Sequence, residues 1–284
     1  TWMTSQDHVP ASYEAFVANN QNFQALPDTS DEEDAGLKRT QRQALKRELP
    51  WKAIDPSDRP AFVEAIQKEW AEWCKWSSCE KFEGDTSTIP KELILPSRVC
   101  YRWKPLDGGA SFKAKARIVI QGFRDPHLPL LARDAPVLSR IGLMCILQWA
   151  CSLNLDLWNG DCKSAFLQGK PDDERPRKIF MKVPQDGISL EAISEWSQNP
   201  GQLYQLHAPV YGQANAPRQW YLHVLDVMTR LNWVRHSLDP CIFLYKNESG
   251  MVIAVLGVHV DDIIASSLEA DVLKEVEKSF SWGR

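Results

Sequence analysis

The sequence predicts an α+β fold, and three observations lead to it. Residues 93–104 and 112–120 read as two strands around a turn at 106–109, and residues 241–245 and 251–257 as two more around the polar stretch 246–250. Apolar residues at helical spacing fill other stretches, most clearly 59–76 and 269–280. No Gly-rich phosphate loop and no internal repeat accompanies them.

Length and charge set the bounds. A chain of 284 residues is long enough for one large domain or two small ones, and for a substantial core. Its formal net charge of −4 argues against a uniformly basic nucleic-acid binder, so basic patches must be sought segment by segment. No apolar run spans a bilayer and no leader is evident, so no membrane partner is expected. The seven cysteines lack paired CxxC spacing, which suits free thiols. The chain opens on Thr1 and closes on Arg284 just after a helical pattern, as expected of a piece of something longer.

Residues 1–50 carry an acidic cluster at 28–34 and a basic one at 38–47 without sustained periodicity. They read as a linker, disordered in part, with a helix near 37–49. From 59 to 76, Phe62, Ile66, Trp70 and Trp73 repeat at helical spacing, with Asp58 as cap and Pro60 in the first turn. The tryptophans belong to a core.

The first hairpin is the basic patch that the net charge hides. From Arg98 to Arg124 there are seven Lys or Arg against one acid, Asp107. On its second strand Phe112, Ala114, Ala116, Ile118 and Ile120 share one face and Lys113, Lys115 and Arg117 the other. Three cations two residues apart suit phosphates, although charges also protect an edge strand from aggregation.

Ser139 is placed to cap a helix through Met144, Leu147 and Cys151, packed beneath a strand at 155–160. Asp161 follows that strand, and a helix is expected to begin at 163–167. A short strand at 178–183 ends at Pro184, residues 185–202 form a polar connection, and a loop at 210–220 opens a helix reaching about residue 232.

The apolar run 251–257 leads into Val258-His259-Val260-Asp261-Asp262. Adjacent carboxylates at the end of a buried strand repel each other and call for a cation, for which a divalent metal is the natural candidate. Asp161 is the expected third acid, since a strand end beside a hairpin brings three carboxylates together. An Asp-Asp pair here also fits a solvated turn or the cap of the helix that follows.

Seven segments in order carry a resemblance: Ile94-Leu95-Pro96-Ser97-Arg98; Lys115-Ala116-Arg117 with Gln121-Gly122-Phe123; Asp134-Ala135-Pro136-Val137; the run Asp161 to Leu167; Tyr211-Gly212 with Ala216-Pro217-Arg218-Gln219-Trp220; Asp239 to Phe243; and Val260-Asp261-Asp262. Over residues 51–284 the chain resembles the reverse transcriptase of copia-type retrotransposons. The resemblance implies an RNA-directed DNA polymerase of right-hand shape, with fingers at about 51–135 and a palm at about 136–284 that carries a finger insertion and an antiparallel sheet. Thumb and ribonuclease H would lie beyond residue 284.

It also implies roles. Asp161, Asp261 and Asp262 would hold two Mg²⁺, or Mn²⁺, for nucleotidyl transfer. Lys115, Arg117, Phe166, Tyr211 and Gly212 would meet the incoming dNTP, Phe166 as the bulky group that excludes a ribose 2′-hydroxyl. Lys113, Arg218 and His259 would lie along nucleic acid, although Arg218 also suits a surface salt bridge and Phe166 a core aromatic. His259 replaces the family's usual tyrosine. Implied partners are an RNA or DNA template with primer, and the integrase and ribonuclease H regions of one polyprotein. The implied location is a cytoplasmic virus-like particle and the nucleus. Two rivals remain at this point: a catalytically inert remnant that binds nucleic acid, and another two-metal phosphoesterase.

Overall fold

The structure, a computed structural model, describes residues 48–106, 111–171 and 176–283. The expected N-terminal linker with its helix, and most of the first hairpin's turn, lie outside these. The chain divides into two units, one of residues 1–48 with Arg102–Ala114 and one of Leu49–Tyr101 with Lys115–Arg284. The described part of the first unit is chiefly the outer ends of two strands, where Lys113 is exposed. Phe112 is 43% exposed, so the apolar face expected of its strand is not buried there.

In the larger unit, α1 (Arg59–Lys75) follows the expected pattern: Phe62, Ile66 and Trp73 are fully buried. Asp58 caps through its carbonyl, which accepts from the Ala61 and Phe62 amides, and its side chain makes no cap bond. Trp70 packs edge-on against Trp196 and Tyr204, at 4.9 and 5.1 Å between centroids, so the tryptophans build the core. Next come β1 (Cys79–Lys81), β2 (Ile94–Leu106) and β3 (Ser111–Ile120), the last two being the first hairpin.

Helix α2 (Arg140–Leu153) is capped by Ser139, whose Oγ accepts from the Gly142 amide at 2.9 Å. It buries Gly142, Ile146 and Ala150, while the expected Cys151 is exposed. The face is rotated from the one read in the sequence because this helix is apolar nearly all round, and periodicity alone does not select a side. It packs mainly on the strands that carry Val255 and Ile264, not beneath residues 155–160.

The strand expected at 155–160 is β4 (Trp158–Asp161), shifted so that Asp161 is its last residue. The helix expected at 163–167 is a single 3₁₀ turn, Ala165–Gln168. Ser164 before it adopts φ 54° and Gly169 follows in extended conformation, which leaves no room to propagate. After β5 (Phe180–Lys182), the polar connection holds two short helices, α3 (Gly187–Ala192) and α4 (Ser194–Gln198). Asp186 caps α3 by accepting from the Ser189 amide, and Trp196 anchors α4 in the core. The remaining elements are β6 (Leu203–Leu206), α5 (Ala216–Arg230), β7 (Val234–Arg235), β8 (Ile242–Lys246), β9 (Val252–His259), β10 (Asp262–Ser267) and α6 (Ala270–Ser279).

Among the described residues two five-stranded sheets result. One has the order β1-β6-β5-β2-β3, with β2 and β5 parallel; the other, β4-β10-β9-β8-β7, is antiparallel throughout. In the second, Trp220, Val224 and Met228 of α5 and Val276 of α6 cover Phe243, Leu256, Val258 and Ile263. Leu138 and Ile146, before and within α2, cover Ile242 and Val255 on the other face. Burial on both faces explains why residues 251–257 read as a continuous apolar run. Among the described residues, no helix is long and apolar enough to cross a membrane.

Candidate active site

The antiparallel sheet gathers the three acids at one corner. His259 ends β9 and Asp262 opens β10, the two being register partners, so the chain reverses over Val260 and Asp261 alone. Asp262 in turn lies opposite Asp161, the end of β4. The Cys162 amide donates to the Asp261 carbonyl at 2.7 Å, tying the turn to β4. On the other edge of β4 the Gly283 amide donates to the Asp161 carbonyl, also at 2.7 Å, and the Lys163 amide to Ser281. Residues after the last helix thus fix the strand that carries Asp161.

All three acids are exposed, unlike the desolvated pair that the sequence suggests. Their mutual repulsion is what asks for a cation: like charges directly opposite on paired strands destabilise the pairing. Their charge is felt by the buried Cys162 thiol, which burial first, then Asp161, Asp261 and Asp262, push well above the usual thiol range. Among the described residues no three His, Cys, Asp or Glu side chains form a group that could hold a metal ion as they stand. The donor chemistry nevertheless fits Mg²⁺, a hard cation that takes one or two carboxylates and leaves its other positions to water and phosphate oxygens.

All seven cysteines are free. Thiolates are what alkylating agents attack, so iodoacetamide at pH 8 should label the exposed Cys145 and Cys151 at least about a hundredfold faster than Cys162. Mass spectrometry of peptides quenched over time checks this.

Next to the acids stands a row of aromatic and cationic groups. The Arg117 guanidinium lies 4.1 Å from the Tyr211 ring centroid, and that ring lies 5.3 Å from the ring of Phe166. Burial pushes the Tyr211 hydroxyl to about 12, with Arg117 opposing the rise and Glu69, Asp261 and Asp161 adding to it. Tyr211 is held by its backbone, since its carbonyl accepts from the Ile120 amide at 2.9 Å. Gly212 follows at φ +97°, and a Cβ there would stand 2.1 Å from the Ile120 carbonyl oxygen. Gly122 meets Gly212 from the other side, its own would-be Cβ 2.1 Å from the Gly212 oxygen. Two glycines therefore let the loop lie directly on the end of β3.

Lys115 shares the β3 face of Arg117 and, like it, is half-buried. His259 is exposed at the end of β9. Arg218 makes a hydrogen bond of 3.1 Å to the Asp134 carbonyl, fastening α5 to the loop before α2, and so neither of its two sequence readings describes that bond. Lys113 belongs to the other unit.

Two acids on α1 escape the sequence reading. Glu69 accepts from the Ile118 amide at 3.3 Å, and its carboxyl is raised by burial, with Arg117 and Lys115 tempering the rise. The signal was present, because Glu69 sits seven residues after Phe62 on the apolar stripe, where an acid needs a partner. One turn later Glu72 pairs with Lys163 at 2.6 Å.

Known proteins share this chain's pattern. The sequence profile described as reverse transcriptase (RNA-dependent DNA polymerase) matches residues 88–282. The retrovirus-related Pol polyprotein from transposon TNT 1-94 of Nicotiana tabacum is 28% identical over 172 residues, 58% of this chain and 12% of that protein. The Pol polyprotein from transposon RE2 of Arabidopsis thaliana is 25% identical over 193 residues, 68% of this chain and 12% of that protein. The chain thus spans 12% of the length of each of these two relatives.

Proposed function

We propose that this chain, which belongs to the reverse transcriptase (RNA-dependent DNA polymerase) family, is the nucleotide-adding part of a copia-type Pol polyprotein and extends a primer along an RNA or DNA template. The observation that carries the reading is the in-register opposition of Asp161 and Asp262 beside the turn bearing Asp261. Asp161, Asp261 and Asp262 would hold two Mg²⁺. When bound, these ions lower the pKa of the primer 3′-hydroxyl and neutralise charge on the transferred phosphoryl and the leaving pyrophosphate.

The chain's own residues do the rest. Arg117, supported on the Tyr211 ring, and Lys115 present cations to the triphosphate, Arg117 with the rigid fork that suits phosphate oxygens. Glu69 holds charge balance behind them. Phe166, packed on Tyr211, walls the side of the sugar. In this reading the β1-β6-β5-β2-β3 sheet with α1 is the fingers, and the antiparallel sheet with α2, α5 and α6 is the palm.

Phe166→Ala should lower discrimination against ribonucleotides by about tenfold or more, because a hydroxyl excluded only by a wall is admitted when the wall is removed. Comparing kcat/KM for dNTP and rNTP measures it. Unchanged discrimination in an active enzyme would remove Phe166 from the sugar gate.

A further inference from the structure

The turn that presents Asp261 is under backbone strain, and a residue forty positions earlier is placed to hold it. Val260 is the first loop residue of the two-residue reversal and adopts φ +58°. That region suits Gly or Asn; a β-branched side chain is crowded there and returns to negative φ unless its surroundings prevent it. The surroundings here are two hydrogen bonds to consecutive carbonyls. The Trp220 indole Nε1–H donates to the Val260 oxygen at 2.5 Å, and the Cys162 amide to the Asp261 oxygen. Both peptide planes at the Asp261 Cα are thereby oriented from outside the β9–β10 ladder, one by α5 and one by β4.

Trp220 is itself closely packed. It is 1% exposed, with the Phe280 ring 5.8 Å and the His223 ring 5.7 Å from its own. An indole N–H that is the reach of a fully packed side chain fixes a carbonyl more sharply than a flexible donor does. We propose that Trp220 is a positioning residue: its N–H keeps Val260 in the left-handed conformation and thereby sets the direction of the Asp261 carboxylate toward a divalent cation. This rests on the reading of Asp261 as a metal-holding residue. It adds that the donor of this geometry lies on α5, in the helix that also carries Arg218.

The test removes the donor without disturbing packing. Trp220 is replaced by 3-benzothienylalanine, in which sulfur stands where the ring N–H was. Mn²⁺ binding is followed by electron paramagnetic resonance, single-nucleotide addition gives kcat and KM, and thermal unfolding reports stability. The expected result is Mn²⁺ half-saturation raised about tenfold and kcat lowered about tenfold with KM for dNTP nearly unchanged, the scale set by misorienting one ligand. Adding Val260→Gly, which relaxes the strained position, should restore part of the Mn²⁺ affinity. Unchanged Mn²⁺ affinity and kcat in the analogue would overturn the proposal.

If the analogue does not fold, the native chain gives a second test. With ¹⁵N-labelled tryptophan, the Trp220 indole resonance should shift during a Mg²⁺ titration, and a resonance indifferent to Mg²⁺ while other signals titrate would overturn the proposal. Asp261→Asn separates the two claims. If that change leaves Mn²⁺ binding intact, the metal reading fails; if it abolishes binding while the analogue binds normally, only the role of Trp220 fails.

Discussion

Gly212→Ala is expected to cost about 3 kcal/mol of stability, because the new methyl group must enter backbone and the residue must keep a left-handed φ. The contacts leave no cheap adjustment. The nearest atom is the Ile120 carbonyl oxygen, at 2.1 Å from the position of the added carbon, and the Val119 side chain stands at 2.7 Å. Relief requires lifting the loop off β3, which breaks the bond from the Ile120 amide to the Tyr211 carbonyl and separates Tyr211 from Arg117. A folded variant should therefore also lose affinity for nucleotide. Thermal unfolding and KM for dNTP measure the two effects, and a variant as stable as the parent would show that the Gly122–Gly212 approach is not tight.

Asp161→Asn should have opposite effects on activity and stability. Primer extension is expected to fall about 10³-fold or more, since a neutral amide is a weaker ligand than a carboxylate and removes a negative charge that would offset the divalent cations in phosphoryl transfer. Without metal the same substitution removes one of two like charges facing each other across β4 and β10, and should stabilise the fold by up to about 1 kcal/mol. Unfolding melts with and without Mg²⁺ check it: the variant should melt slightly higher than the parent in chelator and gain less from added Mg²⁺. A variant that melts lower in chelator would mean that the Asp161 carboxylate serves the fold.

The particular residues show what a sequence exposes and what it conceals. The β8–β9 hairpin and the acids that follow β9 were legible because an unbroken apolar run is unusual and its polar turn marks where it folds back. The cations of β3 were legible because alternation puts every second residue on one face. What could not be read depends on contacts between distant segments. Nothing in residues 185–202 announces α3 and α4, whose apolar residues are Ile188, Leu190, Ala192 and Trp196, too few positions for a period to emerge. The 3₁₀ turn at Phe166 is decided by the conformations of Ser164 and Gly169, not by the helical propensity of the residues between them. Arg218 looked like a charge in search of an anion, and its bond goes to a backbone carbonyl.

The candidate site is legible in its charges and illegible in its supports. Asp161, Asp261, Asp262 and Arg117 stand out by residue type and setting, whereas Tyr211 enters only through the family resemblance. Glu69 and Trp220 are found only where the fold brings them, one against β3 and one against the turn at Val260. Glu69 left a trace as an acid on an apolar stripe, whereas Trp220 left none, because a tryptophan on a helix reads as core and is core.

The measurement closest to the central claim is extension of a labelled primer on an RNA template with dNTPs and Mg²⁺, by this chain and by a C-terminally longer version of it, each with and without Asp261→Asn. The account predicts extension that needs Mg²⁺ and disappears with Asp261→Asn. Extension that survives Asp261→Asn, or nucleic-acid binding with no extension by either parent chain, would contradict it.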